Sequence, residues 1–173
     1  STEGGAFVHG RSAQERDRAD EARRRFTCPQ ADTITLVNVL TGFGARKGAA
    51  AKAWCEQNFV NRRTLESAVQ VREQLRDTCE RLELLGEDYA ATEAAEAAEA
   101  ARRVQLGLPL VDQETSRNLR RCLTSAFFLN AAQRQPSGEY LALTSKQTVA
   151  IHPSSALFSR RVTCVLFNEL LYT

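Results

Sequence analysis

"QPSGEYLALTSKQTVAIHPSSALF", residues 135–158, is the stretch in which the periodicity of the chain changes and the fold class is decided. Beyond Gly138 the apolar residues recur every second position. "EYLALT" places Tyr140 and the leucines in a strand, "TVAIHP" puts Val149 and Ile151 on one face, and "VTCVLFNELLYT" is a third, strongly apolar strand. Upstream the recurrence is helical. The expected fold class is therefore α+β, a helical bundle over residues 1–135 followed by a partial small antiparallel β-barrel over residues 136–173. Three strands leave an unpaired edge, so a closed barrel needs more chain.

The end of the same stretch, "IHPSSALF", sets a histidine beside two serines, which raises the question of nucleophilic catalysis. A serine nucleophile needs a base within hydrogen-bond reach, a carboxylate that orients the base, and an oxyanion hole. Here Pro153 follows His152 directly, no Gly-x-Ser-x-Gly elbow exists and no acid lies nearby in sequence. The segment reads instead as a turn. Pro153 holds His152 extended, and Ser154 and Ser155 are placed to hydrogen-bond the turn backbone or to cap a short helical turn. A shaped loop with polar donors on a small sheet is also how oligonucleotide-binding barrels touch a phosphate or a base.

Working back toward the N-terminus, "SRNLRRCLTSAFFLNAAQR" reads as a helix with Leu119, Leu123, Ala126 and Phe127 inward, ending at "QPSG". Before it, "EDYAATEAAEAAEAARRVQ" has high helix propensity and almost no large apolar side chains, so residues 87–105 are expected to form an exposed helical insertion. "AWCEQNFVNRRTLESAVQVREQLRDTCERLELLG" carries Ala68, Val71, Leu75, Cys79 and Leu82 at spacings of 3, 4, 4 and 3, the pattern of one amphipathic helix ending near Gly86. In "DTITLVNVLTGF", Asp32 is the expected N-cap, with Leu36, Leu40 and Phe43 on one helical face. "RSAQERDRADEARRR" interleaves six arginines with four acids, and Ser12 with Glu15 forms a capping-box pattern. Trp54 is expected to anchor the core.

Composition narrows the function classes. No apolar run approaches the ~20 residues that span a bilayer, and a soluble chain with no membrane partner is expected. The five cysteines, at 28, 55, 79, 122 and 164, are odd in number and contain no Cys-x-x-Cys pair; with two histidines they predict neither a zinc site nor a disulfide framework, and so a reducing compartment, nuclear or cytoplasmic. No metal site and no catalytic residue is predicted. A formal charge of +2 is too small to signal nucleic-acid binding, which would have to come from local clusters such as Arg62, Arg63 and Arg72, or Arg117, Arg120, Arg121 and Arg134. The chain holds no methionine, and it is expected to be a piece of a longer protein.

Laid end to end, these pieces resemble the C-terminal region of the DEAH-box RNA helicases over roughly Phe26 to Thr173. "ADTITLVNVLTGF" resembles the family's Gly-Asp-His-Leu-Thr-Leu-Leu-Asn-Val-Tyr, with Ala31 and Thr33 in place of the Gly and His. "WCEQNFVNRRTLESAVQVREQL" resembles its Trp-Cys...Asn-Phe...Arg-x-Leu...Ala...Arg-x-Gln-Leu, and "RRCLTSAFFLNAAQ", "VAIHPSSALF" and "VLFNELLYT" follow in the same order. The stretch from Leu84 to Ser116 is longer than the resemblance leads one to expect.

The resemblance implies a helicase-associated, ratchet-like bundle followed by the start of an oligonucleotide-binding (OB) fold. It implies an accessory region that helps to form the single-stranded RNA channel of an ATP-driven helicase acting in pre-mRNA splicing or ribosome biogenesis. Asn61, Arg63, Arg72, His152, Ser154 and Ser155 are the residues it points to as RNA-binding. ATP and magnesium would be held by the motor domains of the parent chain, with no cofactor in this segment, which should be inactive alone. The implied partners are single-stranded RNA, those motor domains, and an activator or spliceosome or ribosome-assembly proteins. The alternative is a protein-docking scaffold for such assembly factors without RNA contact.

Overall fold

The capping box at Ser12 is formed: its hydroxyl accepts from the Glu15 amide at 3.1 Å, while the Glu15 carboxylate accepts from the amides of Arg11 and Ser12. Those backbone hydrogen bonds hold the Glu15 carboxyl below its ordinary range, and they start α1, Ala13–Arg24. The computed structural model describes residues 5–106 and 110–171. Five more helices follow: α2 (Asp32–Gly44), α3 (Gly48–Gln57), α4 (Arg62–Arg81), α5 (Tyr89–Leu106) and α6 (Gln113–Ala126). Four strands complete the chain: β1 (Ala131–Arg134), β2 (Tyr140–Ala142), β3 (Thr148–Val149) and β4 (Cys164–Leu166). The α+β class is as expected. The chain divides into two compact units, a helical unit of Ser1–Thr27 with Thr35–Val111 and a sheet unit of Cys28–Ile34 with Asp112–Thr173.

In the helical unit, Trp54 is the hub, as its apolar area demands. Phe26 meets it edge-on at 5.7 Å between ring centroids, Phe43 lies at 6.5 Å, and the Arg46 guanidinium stacks on it at 5.1 Å. Val39, Ala51, Cys55, Val60 and Leu65 fill in around the rings. Gly42 permits the close approach of α2, because a Cβ there would lie 2.9 Å from the indole. Burial raises the Cys55 thiol above its usual range.

Two expectations for this unit are corrected. The long helix expected from Ala53 to Gly86 is broken into α3 and α4. At the break the Asn58 side chain donates to the Trp54 carbonyl at 2.8 Å, Phe59 takes a left-handed φ of 52°, and Val60 pairs with Phe7 in an antiparallel bridge. The break therefore makes its backbone hydrogen bonds to the N-terminal segment, with Val8 and Asn61 amides donating across at 2.8 Å. Second, the apolar row along α4 is not buried: Val71, Leu75 and Leu82 are 50%, 62% and 59% exposed, and Leu65 alone on this helix is fully inside. On α2 the inward residues are Ile34, Val39 and Phe43, and Leu36 faces out. Asp32 is the first residue within α2 and not its cap. The helix expected over residues 87–105 is present as α5, and none of its residues is buried.

In the sheet unit the order is β3-β2-β1-β4, all neighbours antiparallel. The helix expected through "NAAQR" is not there: α6 ends at Ala126, and Ala131–Arg134 is one of the two inner strands, in register with Ala142 to Tyr140 on one side and Leu166 to Cys164 on the other. The reason is non-local. Ala132 opposite Ala142 gives a row so small that both are buried, at 0% and 2%, and that packing overrides the helical preference of alanine. Beside them Tyr140, 5% exposed, donates to the Val162 carbonyl at 2.8 Å. Gly138, at φ 98°, makes the β1–β2 turn. The strand expected over "VTCVLFNELLYT" is confined to three residues, β3 stops at Val149, and β3 and β4 are the edges among the described residues. No described helix is long and apolar enough to cross a membrane.

Candidate functional site

The turn between β3 and β4 is built by side chains that bond their own backbone. The Ser154 amide donates to His152 Nδ1 at 3.1 Å, the Ser154 hydroxyl lies 2.7 Å from the same nitrogen, and the Ser155 amide donates to the His152 carbonyl at 2.9 Å. Because Nδ1 accepts, the neutral ring carries its proton on Nε2. His152 and Ser154 are exposed, whereas Ser155 is half-buried.

Ser155 looks inward to an acid 123 residues away in sequence. Its hydroxyl donates to Asp32 Oδ2 and accepts from the Leu157 amide, while Asp32 Oδ1 accepts from the Ala156 amide at 2.8 Å. Asp32 thus grips the turn with both carboxylate oxygens from the first turn of α2. These groups are not a relay of the serine-hydrolase kind. In such a relay the carboxylate orients the histidine that serves the serine; here the carboxylate bonds one serine and the histidine bonds its neighbour. A second long-range polar contact, Ser116 Oγ to Gln30 Oε1 at 3.1 Å, ties α6 to the segment preceding Asp32.

The remaining sequence-predicted residues lie in the helical unit. Asn61 is the N-cap of α4, its side chain accepting from the Thr64 amide at 3.3 Å. Arg63 follows, exposed, and among the described residues it has no ion pair or side-chain hydrogen bond. Arg72 is bound: it pairs at 2.8 Å with Glu93 of α5, an acid that also accepts from the Tyr89 hydroxyl at 3.4 Å. Arg63 and Arg72 are nine positions apart, which at ~100° per residue sets them on opposite faces of α4. The structure brings His152, Ser154 and Ser155 together, and it does not bring Arg63 and Arg72 onto one surface.

Charge is distributed unevenly. All seven ion pairs among the described residues lie in the helical unit, including Glu99 with Arg102 and Arg103, where the hydrogen bond from Arg102 holds the Glu99 carboxyl down to about 2. The sheet unit has seven Lys or Arg and five Asp or Glu, a surplus equal to the formal +2 of the whole chain. None of those seven cations is ion-paired among the described residues. Asp32 is the site residue whose role the sequence misplaced: its helix-start position was legible, its partner at Ser155 was not. No described group of three or more His, Cys, Asp or Glu could hold a metal ion.

Comparison with known proteins places these features. The family described as oligonucleotide/oligosaccharide-binding (OB)-fold matches residues 119–173, the part that contains the whole sheet and the His152 turn. The chain is 32% identical over 159 residues to ATP-dependent RNA helicase DHX33 of Homo sapiens and 31% identical to its Mus musculus counterpart, each alignment covering 91% of this chain and 19% of the relative. It is 31% identical over 176 residues to the Pre-mRNA-splicing factor ATP-dependent RNA helicase DEAH10 of Arabidopsis thaliana, with 92% of this chain and 21% of the relative covered. The chain therefore spans about a fifth of the length of these relatives.

Proposed function

Because this chain belongs to the DEAH-box RNA helicases as a C-terminal OB-fold region, we propose that it forms part of the wall along which single-stranded RNA passes during ATP-driven remodelling. The observation that carries this reading is that the sheet unit holds seven cations with no ion pair among the described residues, together with a turn whose His152 and Ser154 are exposed. Cations without acidic partners are available to neutralise phosphates, and each phosphate neutralised releases counterions, so affinity comes without base recognition. His152 Nε2–H supplies one directed donor to a phosphate or base edge. In the helical unit, Arg63 and Arg81 are the α4 arginines without an ion pair among the described residues, and Arg72 must exchange Glu93 for a phosphate before it can contribute.

The residues of this chain do not fit an ATP–magnesium site: the sequence has no Gly-x-x-x-x-Gly-Lys-Ser/Thr loop, and the described residues hold no carboxylate cluster for a metal. Nucleotide hydrolysis belongs to motor domains elsewhere in the helicase, and this region's part is to bind and orient the strand. A role in splicing, and with it a nuclear location, is supported by the name of the Arabidopsis relative, a pre-mRNA-splicing factor.

The test is Arg160→Glu with Arg161→Glu, and separately Arg63→Glu, in the helicase that carries this region. RNA-stimulated ATPase activity falls, with the RNA concentration for half-stimulation rising about five-fold, and unstimulated turnover stays the same. Unchanged RNA dependence overturns the reading. A second reading, docking of an assembly or activator protein, is favoured by the exposed apolar row Val71, Leu75 and Leu82 on α4. Salt separates the two, since phosphate contacts weaken steeply with it and an apolar face does not.

A further inference from the structure

The carboxylate of Asp32 is the acid nearest the His152 turn in a unit that otherwise carries surplus positive charge, and its placement is at odds with a role in repelling or attracting ligands. Both of its oxygens are turned inward, Oδ2 to the Ser155 hydroxyl and Oδ1 to the Ala156 amide. Ser155 is consumed by the same arrangement: its hydroxyl gives its one proton to Asp32 and takes the Leu157 amide. The outward groups of the turn are then His152 and Ser154, held to each other through Nδ1.

We propose that Asp32 is a positioning residue for RNA binding: it clamps the 155–157 backbone, and the clamp sets the direction in which His152 Nε2–H and the Ser154 hydroxyl face the strand. The proposal rests on the reading that this turn touches RNA. It divides the turn's labour, with Ser155 internal and His152 and Ser154 external, and it makes hydrogen-bond geometry, not negative charge, the property that position 32 supplies. An asparagine can meet the same geometry. Its Oδ1 accepts from the Ala156 amide, and its Nδ2 donates to Ser155 Oγ, which has a second lone pair to receive it.

The experiment uses the 173-residue chain with a fluorescein-labelled single-stranded oligouridylate, read by anisotropy at low salt, and follows exchange of the Ala156 amide proton in the same variants. Asp32→Ala weakens binding about five-fold and speeds that exchange, Ser155→Ala weakens binding about two-fold, and Asp32→Asn stays within about two-fold of the parent with slow exchange. His152→Ala weakens binding as the direct contact. If His152→Ala weakens binding and Asp32→Ala does not, the positioning role is wrong while the RNA reading stands. Should Asp32→Asn lose as much as Asp32→Ala, charge and not geometry is at work and the proposal falls. No effect of His152→Ala removes the RNA reading of the turn and the proposal together. Where Asp32→Ala does not fold, Ser155→Ala decides the matter, because it deletes one arm of the clamp and leaves the carboxylate: weaker binding with faster Ala156 exchange supports the clamp, and unchanged binding overturns it.

Discussion

The helical unit and the sheet unit solve the problem of holding a small fold together in opposite ways. In the first, three aromatic rings, Phe26, Phe43 and Trp54, are gathered into one apolar cluster, and every ion pair among the described residues lies on the surface of that unit. In the second, the buried apolar side chains are Ile34, two alanines and Tyr140, and polar contacts add long-range order: Asp32 to Ser155 and Ala156, Ser116 to Gln30, Tyr140 to Val162. Its cations have no ion pair among the described residues. The sheet unit also holds the OB-fold match and the His152 turn, and the proposed nucleic-acid role is placed there first.

The largest expected effect probes the packed side. Phe43→Ala leaves a cavity against Trp54 and costs about 3–5 kcal/mol, seen as an earlier urea midpoint when Trp54 fluorescence is followed. A loss under ~1 kcal/mol would mean that the ring cluster is not the helical unit's main support. On the polar side, Tyr140→Phe keeps the ring and removes one hydrogen bond to the Val162 carbonyl, at a cost of about 1 kcal/mol by circular-dichroism melting. A cost as large as that of Phe43→Ala would erase the contrast between the units from the sheet side.

The smallest effect sharpens the electrostatic half of the comparison. Glu99 ionises about 2 in the folded chain against an ordinary value of 4.5. A depressed folded value gives α5 stability that is fully present above 4.5 and is lost as the pH falls from there toward about 2. Acid titration of far-UV circular dichroism should therefore show α5 helicity declining across that window, and Glu99→Gln should flatten the decline. Added salt weakens the dependence, because the pair is exposed.

Much of this was legible where the determinants are local. The Ser12–Glu15 capping box, the Ala/Glu-rich helix and the strand alternation after Gly138 depend on neighbours in sequence; the first two give the elements expected, and the third gives strands in the expected places but shorter. What was not legible depends on distant partners. "NAAQR" contains two good helix formers, and only pairing with Tyr140–Ala142 and Cys164–Leu166 makes it a strand. The break between α3 and α4 contains no glycine or proline; it is made by Asn58 capping Trp54 and by the bridge from Val60 to Phe7. The Val71–Leu75–Leu82 row has regular helical spacing yet stays exposed among the described residues, since periodicity shows that a face is apolar but not that anything covers it. For the site, "IHPSS" announced its turn through Pro153, whereas the Asp32 clamp joins residues 123 and 124 apart.

The most direct test of the account is the salt dependence of binding between this chain and single-stranded oligouridylate. If the unpaired cations of the sheet unit contact phosphates, the logarithm of the affinity falls linearly with the logarithm of salt concentration, with a slope of about −0.7 for each phosphate neutralised, so that three or four contacts give about −2 to −3. Replacing Arg160 and Arg161 by glutamine should reduce the magnitude of that slope by about 0.7 for each arginine that contacts a phosphate. A flat salt response, or no binding at low salt, contradicts the assignment of RNA contact to this unit.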